Sequence, residues 1–103
     1  MLVCRPEGEL DEATGQRIAD LASSQAPRKV VLDLSETSYL SSQGISALLL
    51  LQTQLAGQKR SLALAAPSPL VRRILHQAGI AGVVPILTNM EGAGGDPPTP
   101  SSG

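Results

Sequence analysis

The stretch Val30-Val31-Leu32-Asp33-Leu34-Ser35-Glu36-Thr37-Ser38-Tyr39-Leu40-Ser41-Ser42-Gln43-Gly44-Ile45 decides how this chain is read. Lys29 to Leu34 is an apolar run rich in branched residues, the pattern of a strand buried on both faces. It ends at Asp33-Leu34 and gives way to a hydroxyl-rich loop, Ser35 to Ser41. Two adjacent serines and a glycine then open an amphipathic helix expected over Gln43 to Ala56. Its broad apolar face comprises Ile45, Leu48, Leu49, Leu51 and Leu55, and Gly57 supplies its stop. This junction puts Ser41 and Ser42 at a helix N-terminus, where backbone N–H groups and the helix dipole favour added negative charge. A serine there can take a phosphate without breaking the fold.

Working towards the N-terminus, Leu2 to Arg5 reads as a short strand, and Glu7-Gly8-Glu9 as a turn. The Asp11 carboxylate can cap a helix over Ala13 to Ser23, with Ile18, Leu21 and Ala22 on its buried face. Gly15 weakens that helix by about 1 kcal/mol relative to alanine, and Gln25-Ala26-Pro27 ends it. In the other direction, Ser61 to Ala65 is a further strand. Ser68 caps a third helix with Pro69 at its first position and Leu70, Val71, Ile74, Leu75 and Ala78 as its buried face. Gly79 terminates it. Val83 to Leu87 is expected as a last strand, placed at an edge by Pro85. Asn89 to Ala93 starts a short helix that stops at Gly94-Gly95. Residues 94–103 are Pro, Ser, Thr and Gly with the single acidic Asp96 and no apolar anchor, so a disordered tail is expected.

Strands alternate with helices, which favours a single α/β domain over residues 1–93. At 103 residues there is enough chain for one core. A formal net charge of −1, with basic residues scattered, argues against an electrostatic nucleic-acid binder. Tyr39 is the only aromatic residue, which removes stacking platforms for single strands. Cys4 is the one cysteine and reads as a small buried hydrophobe. The start of the chain lacks a signal-peptide pattern, and no apolar run could span a bilayer. A cytoplasmic protein without membrane insertion is expected.

The quoted stretch resembles the signature of the STAS family, shared by sulfate transporters and anti-sigma factor antagonists. There a strand ending in Asp-Leu-Ser leads through a loop to Asp-Ser-Ser-Gly-Leu. Asp33-Leu34-Ser35 matches the first part, Ser42 aligns with the regulatory serine, and Gly44-Ile45 matches the end. Gly8-Glu9-Leu10-Asp11 and Pro67 to Leu75 extend the resemblance to about Thr88. Two positions depart: Ser41 stands where the family has Asp, and Gln43 where it often has Ser or Thr. The resemblance implies a small mixed sheet with helices packed mainly on one side.

It also implies a function of the bacterial anti-sigma factor antagonist type. The chain would bind an anti-sigma serine kinase and free a sigma factor. Phosphorylation of Ser42, with Ser41 as the alternative, would release it, and a phosphatase would restore it. Partner contacts are expected from Asp11, the loop Ser35, Glu36, Thr37, Ser38, Tyr39, Ser41 and Ser42, then Gln43, Gly44, Ser46 and Leu50, with Ser68 at a neighbouring turn. Each residue also has a plain structural reading. Ser41 and Ser42 can be caps, Asp11 a cap, Asp33 a ligand for loop N–H groups, and Leu50 a solitary exposed leucine.

His76 sits with Arg72, Arg73 and Gln77 on a polar face. No catalytic triad, metal-ligand pattern or phosphate-binding loop is present in the sequence. No catalysis and no cofactor are therefore expected, since ATP belongs to the kinase. The other readings kept open are an adaptor subunit of a membrane transport (lipid ABC-type) complex, a signalling scaffold, and a homodimer.

Overall fold

The structure is a computed structural model that describes residues 1–89. Its elements follow the order β1 (Leu2–Cys4), β2 (Gly8–Leu10), α1 (Glu12–Gln25), β3 (Lys29–Asp33), β4 (Thr37–Leu40), α2 (Ser42–Gly57), β5 (Ser61–Ala65), α3 (Pro69–Gln77), a 3-10 turn (Ile80–Gly82) and β6 (Ile86–Leu87). The main sheet has strand order β1-β3-β5-β6, and a second, two-stranded sheet pairs β2 with β4. All pairings among the described residues are parallel. Parallel neighbours need crossovers, and helices α1, α2 and α3 supply them. The α/β class, with helices on one side, is as expected.

Alternation along the central strands divides the core. Val30, Leu32 and Leu34 with Leu62 and Leu64 face the helices, meeting Ile18 and Ala22 of α1, Leu48, Leu51 and Leu55 of α2, and Val71 and Leu75 of α3. Val31, Ala63 and Ala65 form a smaller buried cluster on the opposite face. Burial on both faces explains the unbroken apolar run of β3. Each fully buried Leu, Ile or Val contributes about 1.5–3 kcal/mol relative to exposure. Cys4 is half-buried against this core, and burial pushes its thiol pKa up.

Several expectations need correction. Ser35 to Ser41 is not all loop, since Thr37–Leu40 is a strand. Its partner, Gly8–Leu10, occupies part of the expected Glu7–Glu9 turn. Leu21 and Leu70 are exposed rather than buried, as is Ala78. The buried stripe of α1 is Gly15, Ile18 and Ala22. Gly15 holds a contact position there: a Cβ on it would collide with the Ala47 Cβ of α2. The last strand is shorter than Val83–Leu87, because residues 80–82 turn in a 3-10 helix and only Ile86–Leu87 pairs with β5. The expected helix start at Asn89–Ala93 lies outside the described residues beyond Asn89, and the expected tail lies wholly outside them.

The C-terminus of α1 has no basic residue in its last turn. Arg60, from the turn before β5, reaches across instead. Its Nη2 donates to the Ala22 carbonyl at 2.6 Å and its Nε to the Pro27 carbonyl at 2.6 Å. The Ala22 carbonyl also accepts from the Ala26 N–H at 3.1 Å, and a cation at this helix end is favourable both as a charge-assisted donor and against the helix dipole. Arg60→Met keeps the aliphatic stem and removes these donors. It is expected to lower unfolding free energy by about 1.5–3 kcal/mol, measured by urea denaturation.

Candidate functional site

The expected site residues are organised by the small parallel sheet. Register pairs Glu9 with Tyr39 and Leu10 with Leu40. One residue further on, each strand turns into a helix. Asp11 caps α1, its Oδ1 accepting from the Thr14 N–H at 3.0 Å. Ser41 caps α2, its Oγ accepting from the Gly44 N–H at 3.0 Å. Two helix N-termini thus start side by side from adjacent strands.

The junction is locked at the Leu10 carbonyl. That oxygen accepts from the Ser41 N–H at 3.2 Å and the Ser41 Oγ at 3.3 Å. Gly44 lies directly over it, and any Cβ there would run into the Leu10 oxygen. The preceding turn is fixed as firmly. Asp33 accepts from the Ser35 N–H at 3.0 Å and from Arg5 Nε at 2.9 Å. Thr37 Oγ1 donates to the Pro6 carbonyl at 2.9 Å, and the Gly8 N–H donates to the Glu36 carbonyl at 3.0 Å.

Electrostatics separate the two helix starts. Helix α1 carries Glu12 in its first turn beside the Asp11 cap, whereas the first turn of α2 has no acidic residue. The backbone N–H and hydroxyl of Thr14 hold the Asp11 carboxyl below its usual range. For Asp33, burial raises the pKa, but the Ser35 hydrogen bonds and Arg5 outweigh it and the net shift is downward.

Ser42 is the first residue of α2. It is exposed and lines a concavity between α1 and α2 together with Gln43, Ser46 and Leu50. Its hydroxyl makes no hydrogen bond to any described residue, unlike that of Ser41. Asp11, Ser41 and Gln43 line an adjoining concavity. Ser35, Glu36, Ser38 and Tyr39 are exposed on the turn and on β4. Thr37 and Gly44 are buried, so they shape the site and offer no contact surface. Ser68 caps α3 through the Val71 N–H at 3.3 Å and lines neither concavity. The sequence reading missed the wall of α1, namely Glu12, Gln16 and Asp20. Their signal was the polar face of the first helix, which that reading left unused.

The domain profile described as STAS domain matches residues 1–93. The chain belongs to the STAS family. A Bordetella bronchiseptica protein named "Putative anti-sigma factor antagonist BtrV" is 31% identical over 96 residues, covering 90% of this chain and 83% of that relative. Among solved structures, the anti-sigma factor antagonist SpoIIAA in its unphosphorylated form superposes with a TM-score of 0.71 at 24% identity, over 88% of this chain and 83% of that one. The STAS domain of a SulP transporter from Vibrio cholerae gives a TM-score of 0.77 at 21% identity, over 89% and 76%. The structural likenesses are likenesses of fold, and they reach antagonists and transporter domains alike. Among the described residues of this STAS domain, no helix is long and apolar enough to cross a membrane.

Two outcomes test the geometry. Gly44→Ala forces a methyl against a backbone carbonyl and is expected to cost about 1–3 kcal/mol of stability. In amide NMR spectra its largest shifts should fall at residues 10–12 and 41–44. Asp33 has a folded pKa below its ordinary value of 3.8, so its contribution is fully present above that value and lost as pH falls through the folded pKa. The stability advantage of wild type over Asp33→Asn is therefore expected to hold from neutral pH down to about 4 and to shrink below it, read as urea midpoints across that range.

Proposed function

We propose that this STAS domain is an anti-sigma factor antagonist acting in the bacterial cytoplasm, switched by phosphorylation of Ser42. Unphosphorylated, it docks an anti-sigma serine kinase through the start of α2 and the exposed β3–β4 turn, which frees a sigma factor. The kinase, using its own ATP, phosphorylates Ser42 and is released, and a phosphatase resets the switch. The chain itself performs no chemistry; Ser42 is a substrate side chain. The name of the Bordetella relative supports the antagonist class.

One observation carries the choice of residue. Ser41 is committed, with its oxygen accepting from the Gly44 N–H and lying against the Leu10 carbonyl, whereas Ser42 is exposed and unbonded one position later. A phosphate on Ser41 would remove the Oγ–H that donates to the Leu10 carbonyl and place anionic oxygens against that carbonyl, at a cost of about 1 kcal/mol or more. On Ser42 it adds about −1.5 to −2 charges at the positive end of α2 without disturbing a hydrogen bond. A kinase surface packed against the neutral hydroxyl then meets bulk and charge, so release follows with the fold intact.

Peptide mass spectrometry on the protein from its own cells, with and without phosphatase treatment, tests this. A single phosphatase-sensitive phosphate on Ser42 is expected, absent in Ser42→Ala. Ser42→Asp should weaken co-purification with the kinase by about tenfold or more, which is about 1.4 kcal/mol. A stable complex with a transporter ATPase that ignores Ser42→Asp would overturn the switch in favour of the adaptor reading.

A further inference from the structure

Helices α1 and α2 touch where Gly15 meets Ala47, and beside that contact they leave an open groove of about 500 Å³. Its lining mixes the apolar side chains of Ala19, Ala47, Leu50 and Leu51 with polar ones such as Gln16, Ser46 and Gln54, and Leu50 is 60% exposed. Its rim carries the carboxylates Glu12 and Asp20. At the Ser42 end it adjoins the concavity that adds Glu9 and Asp11. Neither concavity is lined by a lysine, arginine or histidine. Arg60 lines a neighbouring concavity that shares Leu51 and Gln54, and it is engaged by the Ala22 and Pro27 carbonyls.

We propose that this groove docks a cationic amphipathic helix of a partner protein. Apolar side chains at helical spacing would seat on Leu50 and Ala47, and flanking lysines or arginines would reach Asp20 and Glu12, then Asp11 and Glu9 towards the Ser42 end. Charge selects the occupant: Arg17 lies near Asp11, but the concavity linings themselves carry carboxylates and no basic side chain, a surface that repels phosphopeptides, nucleic acid and anionic lipid. Backbone chemistry selects its conformation. Both walls are helices whose interior N–H and C=O groups are already paired, so an extended segment finds no sheet edge to join. A ligand must satisfy its own backbone, and a helix does so. Helix α2, 16 residues long, spans about 24 Å, enough for three successive anchors of such a ligand.

This surface goes beyond the phosphorylation reading. It uses the α1 wall, which the Ser42 switch does not require, and a phosphate on Ser42 would deepen its negative field rather than reverse it.

The test uses a fluorescein-labelled helical peptide of about 16 residues, with leucines on one face and lysines on the other, titrated against the full chain. Saturable binding is expected, weakening by about tenfold as salt rises from about 0.05 to 0.3 M. Amide shifts should concentrate at Gly15, Ala19, Ala47 and Leu50. Leu50→Gln, and separately Glu12→Lys with Asp20→Lys, should each weaken binding by about tenfold, while Gln77→Glu on α3 should leave it unchanged. The substituted groove residues are exposed, and the shift map on wild type does not depend on how the variants fold. The proposal is overturned if the peptide does not saturate, if shifts map elsewhere, or if a peptide with serines replacing the leucines binds equally well. It is also overturned if the chain alone, without peptide, binds vesicles of anionic lipid and Leu50→Gln abolishes that binding. No kinase or ATP is present, so this result is independent of whether Ser42 is ever phosphorylated.

Discussion

The arrangement of this molecule depends on the close contact between the Leu10 carbonyl and the start of α2. One oxygen receives the Ser41 N–H and Oγ while Gly44, lacking a Cβ, lies over it. Any larger residue at position 44 would push α2 off the end of β2, and the register of Leu10 against Leu40 would lose its anchor. Because the two strands are parallel and end in register, their next residues, Asp11 and Ser41, become the caps of two neighbouring helices. The rest follows from that pairing. Helices α1 and α2 leave the small sheet together, meet at Gly15 and Ala47, and enclose the concavity that Ser42 lines.

Two caps of different chemistry give the paired helix ends different characters. Asp11 and Glu12 place negative charge on the positive end of α1. The end of α2 has only the neutral Ser41 as its cap and no acidic side chain in its first turn. In the family pattern an aspartate stands at that capping position, so in this chain the negative charge near Ser42 comes from the neighbouring helix instead. The substitution keeps the hydrogen bond to the Gly44 N–H, because a serine oxygen caps as well as a carboxylate does; it removes the charge and supplies a hydroxyl proton for the Leu10 carbonyl, which a carboxylate could not donate.

Much of this was legible in the sequence where a single local signal sufficed. The buried strands Lys29–Asp33 and Ser61–Ala65 stand out as apolar runs, and the caps Asp11 and Ser68 with Pro69 mark helix starts that the structure places there. The small sheet was not legible. Its strands are three and four residues long and far apart in the chain. A bulge between Gly8 and Glu9 interrupts their register, and in Thr37–Leu40 only the two ends are buried, which breaks strict alternation. Leu21 misled for a related reason. Counting apolar residues favours it, but the inward stripe of α1 passes through Gly15, Ile18 and Ala22, and a glycine used for contact has no apolar signature. The resemblance already separated Ser42 from Ser41 by alignment, but the physical difference between them, the bonds of Ser41 to the Leu10 carbonyl and the Gly44 N–H, was not legible because Leu10 lies 31 residues away.

That distinction bears on how a phosphate could act without altering the fold. At Ser42 it would meet the open N-terminus of α2, which favours it by about 0.3–1 kcal/mol. It would also meet the field of Glu12 across the groove and of Asp11 in the adjoining concavity, which opposes it and is weakened because solvent screens exposed charges. Within the isolated domain the two effects act in opposite directions, and the core residues on the buried face of α2, Leu48, Leu51 and Leu55, lie away from them. A docked protein changes the balance by excluding water at the same point. The local dielectric then falls, the screening that made the carboxylates tolerable is lost, and the phosphate must be desolvated. Under the proposed switch, the penalty of phosphorylation would therefore fall on the complex rather than on the free domain, the property a release switch needs.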